Sequence, residues 1–367
     1  MANRKEQAKT GKAAAMSNGR LGYTTGACAA AAAKAALRCL LGEDIQPLEI
    51  EMPFPGGERH TLPVVFASRR DHGAEAAVRK DAGDDPDITN GSVILAFAEW
   101  GECEDVAFAA GDGVGTVTKK GLSVPPGQPA INPGPRKMIR DALRELTNRP
   151  VRVTISVQGG REMAPKTYNP RLGIVDGLSI LGTTGRVRPF SCRALKCALV
   201  CELDVARAAG VTAPVLVPGH IGERSARKHL TVTAEQVIEV GNEWGFLLDR
   251  LVRYQFQQAL LWGHPGKLAK LADGQWDTHS SRSRSAVEVV RRLSETCRLL
   301  DRSRYPTTEG LFAALDQNER IRVAEGLSAA IARATEKRTG GAIKVSVVLV
   351  NMDGTVLGAH GDMALWQ

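Results

Sequence analysis

The sequence predicts an α/β protein of two domains, a turn-rich α+β first half followed by a half built on a parallel sheet. Three observations carry this. The chain has 367 residues, about two domains' worth. Its first half alternates short strands with Pro- and Gly-marked turns. Its second half repeats an apolar strand, a glycine turn and a helix, the rhythm of a parallel sheet. With 43% hydrophobic and 24% charged residues, the composition is that of a globular chain.

Taken in order, residues 1–20 are basic and polar and read as a disordered tail. Leu21–Leu37 follows as LGYTTGACAAAAAKAAL. Thr24 and Thr25 suit a helix cap and Ala favours helix, so a helix is expected from about Ala27 to Leu41. Its N–H groups and dipole, with two hydroxyls beside them, suit a carboxylate or phosphate, or simply a capped buried helix. Leu48–Met52 and Thr61–Phe66 read as strands split by a Pro–Gly turn, and Ala76–Lys80 and Ser92–Ala98 as two more. Between these last two lie Asp81, Asp84, Asp85 and Asp87, either a hard-cation loop or a solvated turn. Gly111, Gly113 and Gly115 form G-x-G-x-G, but a strand-like Thr116–Thr118 follows where a dinucleotide fingerprint needs a helix. Pro135 opens a helix over Arg136–Leu146.

In the second half, Val151–Val157, Leu178–Leu181, Val215–Val217, Val237–Val240 and Ala259–Trp262 read as strands. The last four end in glycine turns at Gly182–Gly185, Pro218–His220, Gly241–Asn242 and Gly263–Lys267. Ligands of parallel sheets sit at the carboxyl ends of strands, so these four turns are expected to gather around one. Helices follow at Cys192–Ala209, Gly245–Tyr254, Ala286–Leu300, Leu311–Leu315 and Arg322–Glu336, and a hairpin at Ile343–Val350 and Thr355–Gly358. The expected organisation is an α+β domain over 21–160, a Rossmann-like α/β domain over 161–300, and C-terminal helices and a hairpin over 301–367.

A net charge of +8 suits an acidic partner. The basic residues are scattered and no nucleic-acid motif is seen, which points to a small polyanion and not to nucleic acid. No apolar run approaches the ~18 residues of a membrane span, so no membrane partner is expected. Seven cysteines without regular spacing and without an export signal read as reduced cytoplasmic thiols. Cys192, Cys197 and Cys201 read as small buried residues of one helix, since their spacing fits no metal pattern.

Several segments together resemble the cobalt-precorrin-5B (C-1)-methyltransferase family of anaerobic cobalamin biosynthesis. They are GYTTGACAAAAAKAAL, KDAGDDPDIT, Gly111–Lys119, PAINPGPRKMI at Pro129–Ile139, Asn169–Gly185, DVARAAG at Asp204–Gly210, GHPGKLAKLADG at Gly263–Gly274 and Asp277–Ser280. The resemblance implies methyl transfer from S-adenosylmethionine to ring carbon C-1 of a polycarboxylate corrin precursor, with cobalt present only as part of the substrate and no metal ligands in the chain. The basic balance suits such a substrate. Donor-binding residues are expected at the parallel-sheet edge: Thr183, Thr184, Gly185, Gly219, Asn242 and Gly263. The substrate, expected between that edge and the first domain, would meet Thr24, Thr25, Lys119, Arg136 and Arg171. His264 and His279 are the candidate general bases, since histidine titrates near neutrality. The sequence departs from the family pattern at His220, at Gly241–Trp244 and at Pro265. Competing readings are a nicotinamide-dependent reductase of the same macrocycle and a non-catalytic corrinoid carrier. Against the reductase, no G-x-G-x-x-G follows a strand and no acidic ribose partner is recognised about 20 residues on. The oligomeric state is left open, a homo-oligomer included.

Overall fold

The computed structural model describes residues 19–46, 48–102, 105–188, 192–301 and 303–367. Almost all of the basic tail lies outside these residues. The chain divides into two compact units, 1–192 and 193–367. The first is 32 residues longer than the expected 21–160 boundary allows, for a reason given below.

In the first unit, β1 (Gly22–Tyr23) leads into α1 (Thr25–Leu40). Strands β2 (Glu49–Pro53), β3 (Arg59–Pro63), β4 (Phe66–Arg70), β5 (Gly73–Arg79), β6 (Val93–Trp100), β7 (Val106–Ala110) and β8 (Thr116–Val117) follow. Then come α2 (Pro133–Arg144), β9 (Val151–Val157), the single turn α3 (Gly160–Met163), β10 (Ile174–Val175) and β11 (Arg186–Val187). The main sheet runs β4-β5-β6-β9-β7, antiparallel but for β7 against β9. The single strand expected at Thr61–Phe66 is two, because β3 pairs with β2 while β4 pairs with β5.

The alanine helix is the centre of this unit. Every residue from Thr25 to Leu37 is buried, and α1 lies against β5, β6 and α2. The facing sheet positions are also small: Ala74, Ala76, Ala96 and Ala98 are fully buried. Alanine on both sides lets helix and sheet approach at close range, where dispersion contacts are densest.

The segment expected as a parallel strand at Leu178–Leu181 belongs to this unit instead. Leu178 bridges Val114, Ile180 bridges Ile131, and both side chains are buried in the first core. The boundary therefore moves from 160 to 192. The G-x-G-x-G run explains the attachment. A Cβ on Gly113 would stand 2.0 Å from the Val157 carbonyl oxygen, and one on Gly177 2.5 Å from the Gly113 backbone. These glycines exist so that backbones can cross, consistent with rejecting a nucleotide fingerprint there.

The second unit comprises α4 (Cys192–Ala208), β12 (Val215–Val217), α5 (His220–His229), β13 (Val237–Glu239), α6 (Trp244–Arg253), β14 (Gln258–Gly263) and α7 (Pro265–Ala272). It continues through α8 (Ala286–Leu293), α9 (Glu295–Leu299), α10 (Thr308–Ala313), α11 (Gln317–Arg338), β15 (Lys344–Val350) and β16 (Val356–His360). The helix expected over 286–300 breaks at Ser294, whose extended backbone ends α8 and whose hydroxyl caps α9. The sheet order is β13-β12-β14-β15-β16, parallel except for the last strand. This is 2-1-3-4-5 in chain order, not the 3-2-1-4-5-6 of a Rossmann sheet. The C-terminal strands do not pack on a finished core. β15 is itself the fourth strand of the sheet, paired with β14 over its whole length.

Alternate strand residues serve opposite faces. Leu216, Ile238 and Leu261 meet α4, α6 and α7, while Val215, Val217, Val237 and Leu260 form a smaller cluster with Ala226 of α5 and Trp366. Cys197 is exposed and Cys201 half-buried, so the buried reading of that set fails where it can be checked; the Cys192 side chain lies outside the described residues. No helix among the described residues is long and apolar enough to cross a membrane.

Candidate functional site

The sequence-predicted residues fall into two groups, one in each unit. In the first, three segments meet where α1 and α2 begin. Thr24 caps α1, its hydroxyl accepting the Ala27 N–H at 3.1 Å. The Thr25 hydroxyl accepts the Leu181 N–H at 2.9 Å and donates to the Leu181 carbonyl at 3.3 Å. The Gly26 N–H donates to the same carbonyl at 2.8 Å. A Cβ on Gly26 would stand 2.7 Å from Pro135, and one on Gly134 2.8 Å from the Gly182 oxygen. Thr24 and Thr25 thus spend their hydroxyls on the fold, and the helix start they cap is not offered to a ligand.

Thr183, Thr184 and Gly185 sit at this junction, in a turn that follows no strand of the parallel sheet. Gly185 accepts the Thr24 N–H at 2.9 Å, and the Thr184 hydroxyl closes a turn onto Arg186. Their assignment to the parallel sheet fails because residues 178–181 pair with the first unit.

The basic residues expected here differ in availability. Lys119 lies along Gly173, its ammonium 3.3 Å from the Arg171 carbonyl, so Lys119 and Arg171 are neighbours. Arg136 donates to the carbonyls of Ile131 and Pro129 and stands over the Phe108 ring at 5.1 Å. Burial, and then the neighbouring Arg140, lowers its pKa. Among the described residues no carboxylate pairs with this half-buried guanidinium.

Asp81, Asp84 and Asp87 of the aspartate loop have partners within the chain. Asp81 binds Arg20 and the Gly83 N–H, Asp84 accepts the Arg20 N–H, and Asp87 takes the buried Lys80 ammonium at 2.7 Å together with Thr89. These carboxylates knit the loop internally, and Asp87 is drawn to the buried Lys80 and not to solvent.

In the second unit, three of the four glycine turns do gather, at the carboxyl edge of β12, β13 and β14. The chain leaves β12 for β13 on one side and places β14 on the other. Ligands of such sheets usually sit where the connections diverge, which here is the edge that carries the turn Pro218–His220 and the turn Gly263–Lys267.

The two glycines after β12 play different parts. Among the described residues, the one atom within 4 Å of a Cβ built on Gly219 is Glu239 Oε1, at 3.7 Å. A Cβ on Gly222 would stand 2.8 Å from the Trp262 carbonyl oxygen, so Gly222 seats α5 against β14. Open approach at the first glycine and tight helix-to-strand packing at a later one are two of the three glycine roles in dinucleotide-type βαβ turns. An acidic residue, Glu239, ends β13 about 20 residues beyond Gly219. The sequence reading missed it by looking only for the full three-glycine fingerprint. Lys267 reaches across from α7, its ammonium 3.2 Å from the Pro218 carbonyl; burial lowers its pKa and Glu239 partly restores it.

Gly263 is packed, not open, since its Cβ would stand 2.5 Å from Pro218. Asn242 is tied to the 277–283 loop, its side-chain oxygen accepting from the Thr278 hydroxyl at 3.2 Å. Beneath that loop the buried Lys270 donates to the Thr278 carbonyl and the Ser283 hydroxyl.

The two histidines are occupied. His264 Nδ1 accepts the Gly266 N–H at 3.0 Å and caps α7. Its neutral ring therefore carries the proton on Nε2, which donates to Glu309 at 2.9 Å. His279 Nδ1 lies 2.8 Å from the Ser281 hydroxyl, a hydrogen bond that either neutral tautomer can make. In the neutral His264 ring the lone pair is already bonded, so His264 is not placed as a general base, contrary to expectation.

Among known proteins, the CbiD family pattern matches residues 12–189, and that of the CbiD C-terminal domain matches residues 277–361. The chain is 51% identical over 346 residues to the cobalt-precorrin-5B C(1)-methyltransferase of Syntrophotalea carbinolica, covering 94% of this chain and 98% of that one. It is 41% identical to the protein of the same name from Methanocaldococcus jannaschii, over 93% of this chain and 96% of that one. A crystal structure described as cobalamin biosynthesis protein (cbiD) from Archaeoglobus fulgidus is 28% identical over 72% of this chain and 83% of that one, with a TM-score of 0.38.

Proposed function

The chain belongs to the CbiD family, and from that premise we propose that it methylates ring carbon C-1 of cobalt-precorrin-5B, giving cobalt-precorrin-6A. It is a C-methyltransferase of cobalamin biosynthesis. The reductase and carrier readings are not favoured, since the relatives are named for methyl transfer. S-adenosylmethionine is the donor in this reading, and its site is the crevice between Pro218–Gly219 and Gly263–Lys267.

The observation that carries the donor site is the open space at Gly219, which a side chain would fill, facing a carboxylate at the end of the next strand. When bound, a sulfonium donor supplies a methyl group whose bond to sulfur breaks, leaving the electron pair on sulfur, as the bond to C-1 forms. The chain's own task is alignment, which can account for roughly 7–11 kcal/mol of barrier lowering. Gly219 leaves room for the donor, and Gly222 fixes the helix that follows. Lys267 ties α7 to the Pro218 carbonyl and so sets the width of the crevice. In the first unit Arg136 offers its guanidinium to a substrate carboxylate, with Lys119 and Arg171 as a second basic pair. Thr24, Thr25 and Gly182–Gly185 hold the starts of α1 and α2 in place instead of touching the substrate. Cobalt belongs to the substrate.

Isothermal titration with S-adenosylhomocysteine, alone and with corrinoid present, tests the reading against reduced nicotinamide as control. Binding of S-adenosylhomocysteine alone among the two supports it. Binding of nicotinamide instead, or of neither under both conditions, overturns it.

A further inference from the structure

We propose that Glu239 is the acceptor for the ribose hydroxyls of the methyl donor. The proposal rests on the donor site above and adds to it the residue that recognises the sugar.

The register places Glu239 directly opposite Val217, the last residue of β12. Its carboxylate therefore stands beside the start of the turn Pro218–Gly219, and one oxygen lies 3.7 Å from where a Gly219 Cβ would be. Among the described residues, Glu239 borders the position that a Gly219 side chain would fill. A ligand lying over Gly219 has to pass that oxygen.

The chemistry fits a diol. A carboxylate accepts through two oxygens, and vicinal hydroxyls donate from two adjacent positions. Hydrogen bonds to an ionised acceptor are about twice as strong as neutral ones. An acidic residue at the end of the second strand of a βαβ unit, about 20 residues past its glycine turn, is where sugar hydroxyls are bound in other nucleotide sites. The Lys267 ammonium attracts Glu239 from α7, and the Glu202 carboxylate accepts the Glu239 backbone N–H from α4.

A residue that only paired with Lys267 would matter to stability and not to the sugar. The test therefore reads discrimination. S-adenosylhomocysteine and its 2′-deoxy analogue are titrated against the wild-type chain, Glu239→Gln and Gly219→Thr, with melting temperatures taken on each. Wild type is expected to prefer the ribose form by about 10- to 100-fold, the range of a hydrogen bond to a charged group. In Glu239→Gln the preference should fall below about threefold, through loss of ribose-form affinity alone. A folded Glu239→Gln variant that keeps the wild-type preference overturns the proposal and leaves the donor site standing. If Gly219→Thr binds S-adenosylhomocysteine as tightly as wild type, the donor site itself is elsewhere and the proposal falls with it.

Discussion

Gly219 and Gly222 lie three residues apart, and substitution should separate binding from stability. At Gly219 the backbone is extended (φ 161°, ψ −172°), which any residue adopts, and a Cβ would touch nothing closer than 3.7 Å. Threonine caps helices about as well as glycine. Gly219→Thr should therefore change stability by no more than about 0.5 kcal/mol. The same side chain fills the crevice, so affinity for S-adenosylhomocysteine should drop at least about tenfold, or about 1.4 kcal/mol. Gly222→Val should do the reverse. Its Cβ begins 2.8 Å from a backbone oxygen that belongs to a central strand and cannot swing away. Overpacking of this kind costs about 1–3 kcal/mol, against a few tenths regained in helix propensity. For a unit of this size that is about 2–12 °C in Tm. Differential scanning fluorimetry and isothermal titration on the same preparations read both quantities. A Gly222→Val variant that melts with wild type, or a Gly219→Thr variant that binds normally, would refute the assignment of these two roles.

Four further outcomes follow from the packing and the hydrogen bonds. Ala31→Leu puts three extra carbons into a helix face with no exposed surface, and denaturant unfolding should show a loss of about 1–3 kcal/mol or more; a loss under about 0.5 would mean the helix is less tightly enclosed than described. Hydrogen bonds from Arg59, with Lys34 adding to them against the effect of burial, hold the Glu145 carboxyl down at about 2. A depressed carboxyl stabilises fully above its unfolded value near 4.5 and loses that contribution as pH falls towards 2, so Glu145→Gln should flatten the acid limb of the stability profile over that window. An unchanged limb would remove Glu145 from the account. His264→Asn keeps an oxygen to cap α7, and kcat should stay within about threefold, whereas a lost general base would cost 10²–10⁴. Arg136→Gln should raise KM for the corrinoid about fivefold, the upper end for one partly exposed ion pair, with kcat little changed; an unaltered KM would place the substrate carboxylates elsewhere.

Local chemistry was legible where one residue type decides the structure. Thr24 before an alanine run specified a capped helix, and the helix forms there with that cap. The strand–glycine–helix rhythm after residue 210 specified a parallel sheet, and β12, β13 and β14 carry it. Partner choice was not legible. Leu178 and Ile180 have the same apolar look whether they join a parallel sheet or cross a glycine knot, and only the backbone clearance at Gly113 and Gly177 selects the second. That one ambiguity moved Thr183, Thr184 and Gly185 to the wrong unit. His264 misled for a related reason, because the sequence cannot show which ring nitrogen a backbone N–H will claim. Glu239 escaped notice because its role depends on the register of β13 beside β12, which sets the carboxylate against a turn 20 residues back.

The central claim is methyl transfer to C-1. Wild-type protein would be incubated with cobalt-precorrin-5B and S-adenosylmethionine labelled with carbon-13 in its methyl group, and the corrinoid product examined by carbon NMR. The account predicts one enriched methyl carbon attached to ring carbon C-1, with an equal amount of S-adenosylhomocysteine released. Label at another ring position, or consumption of the corrinoid without label, would contradict it.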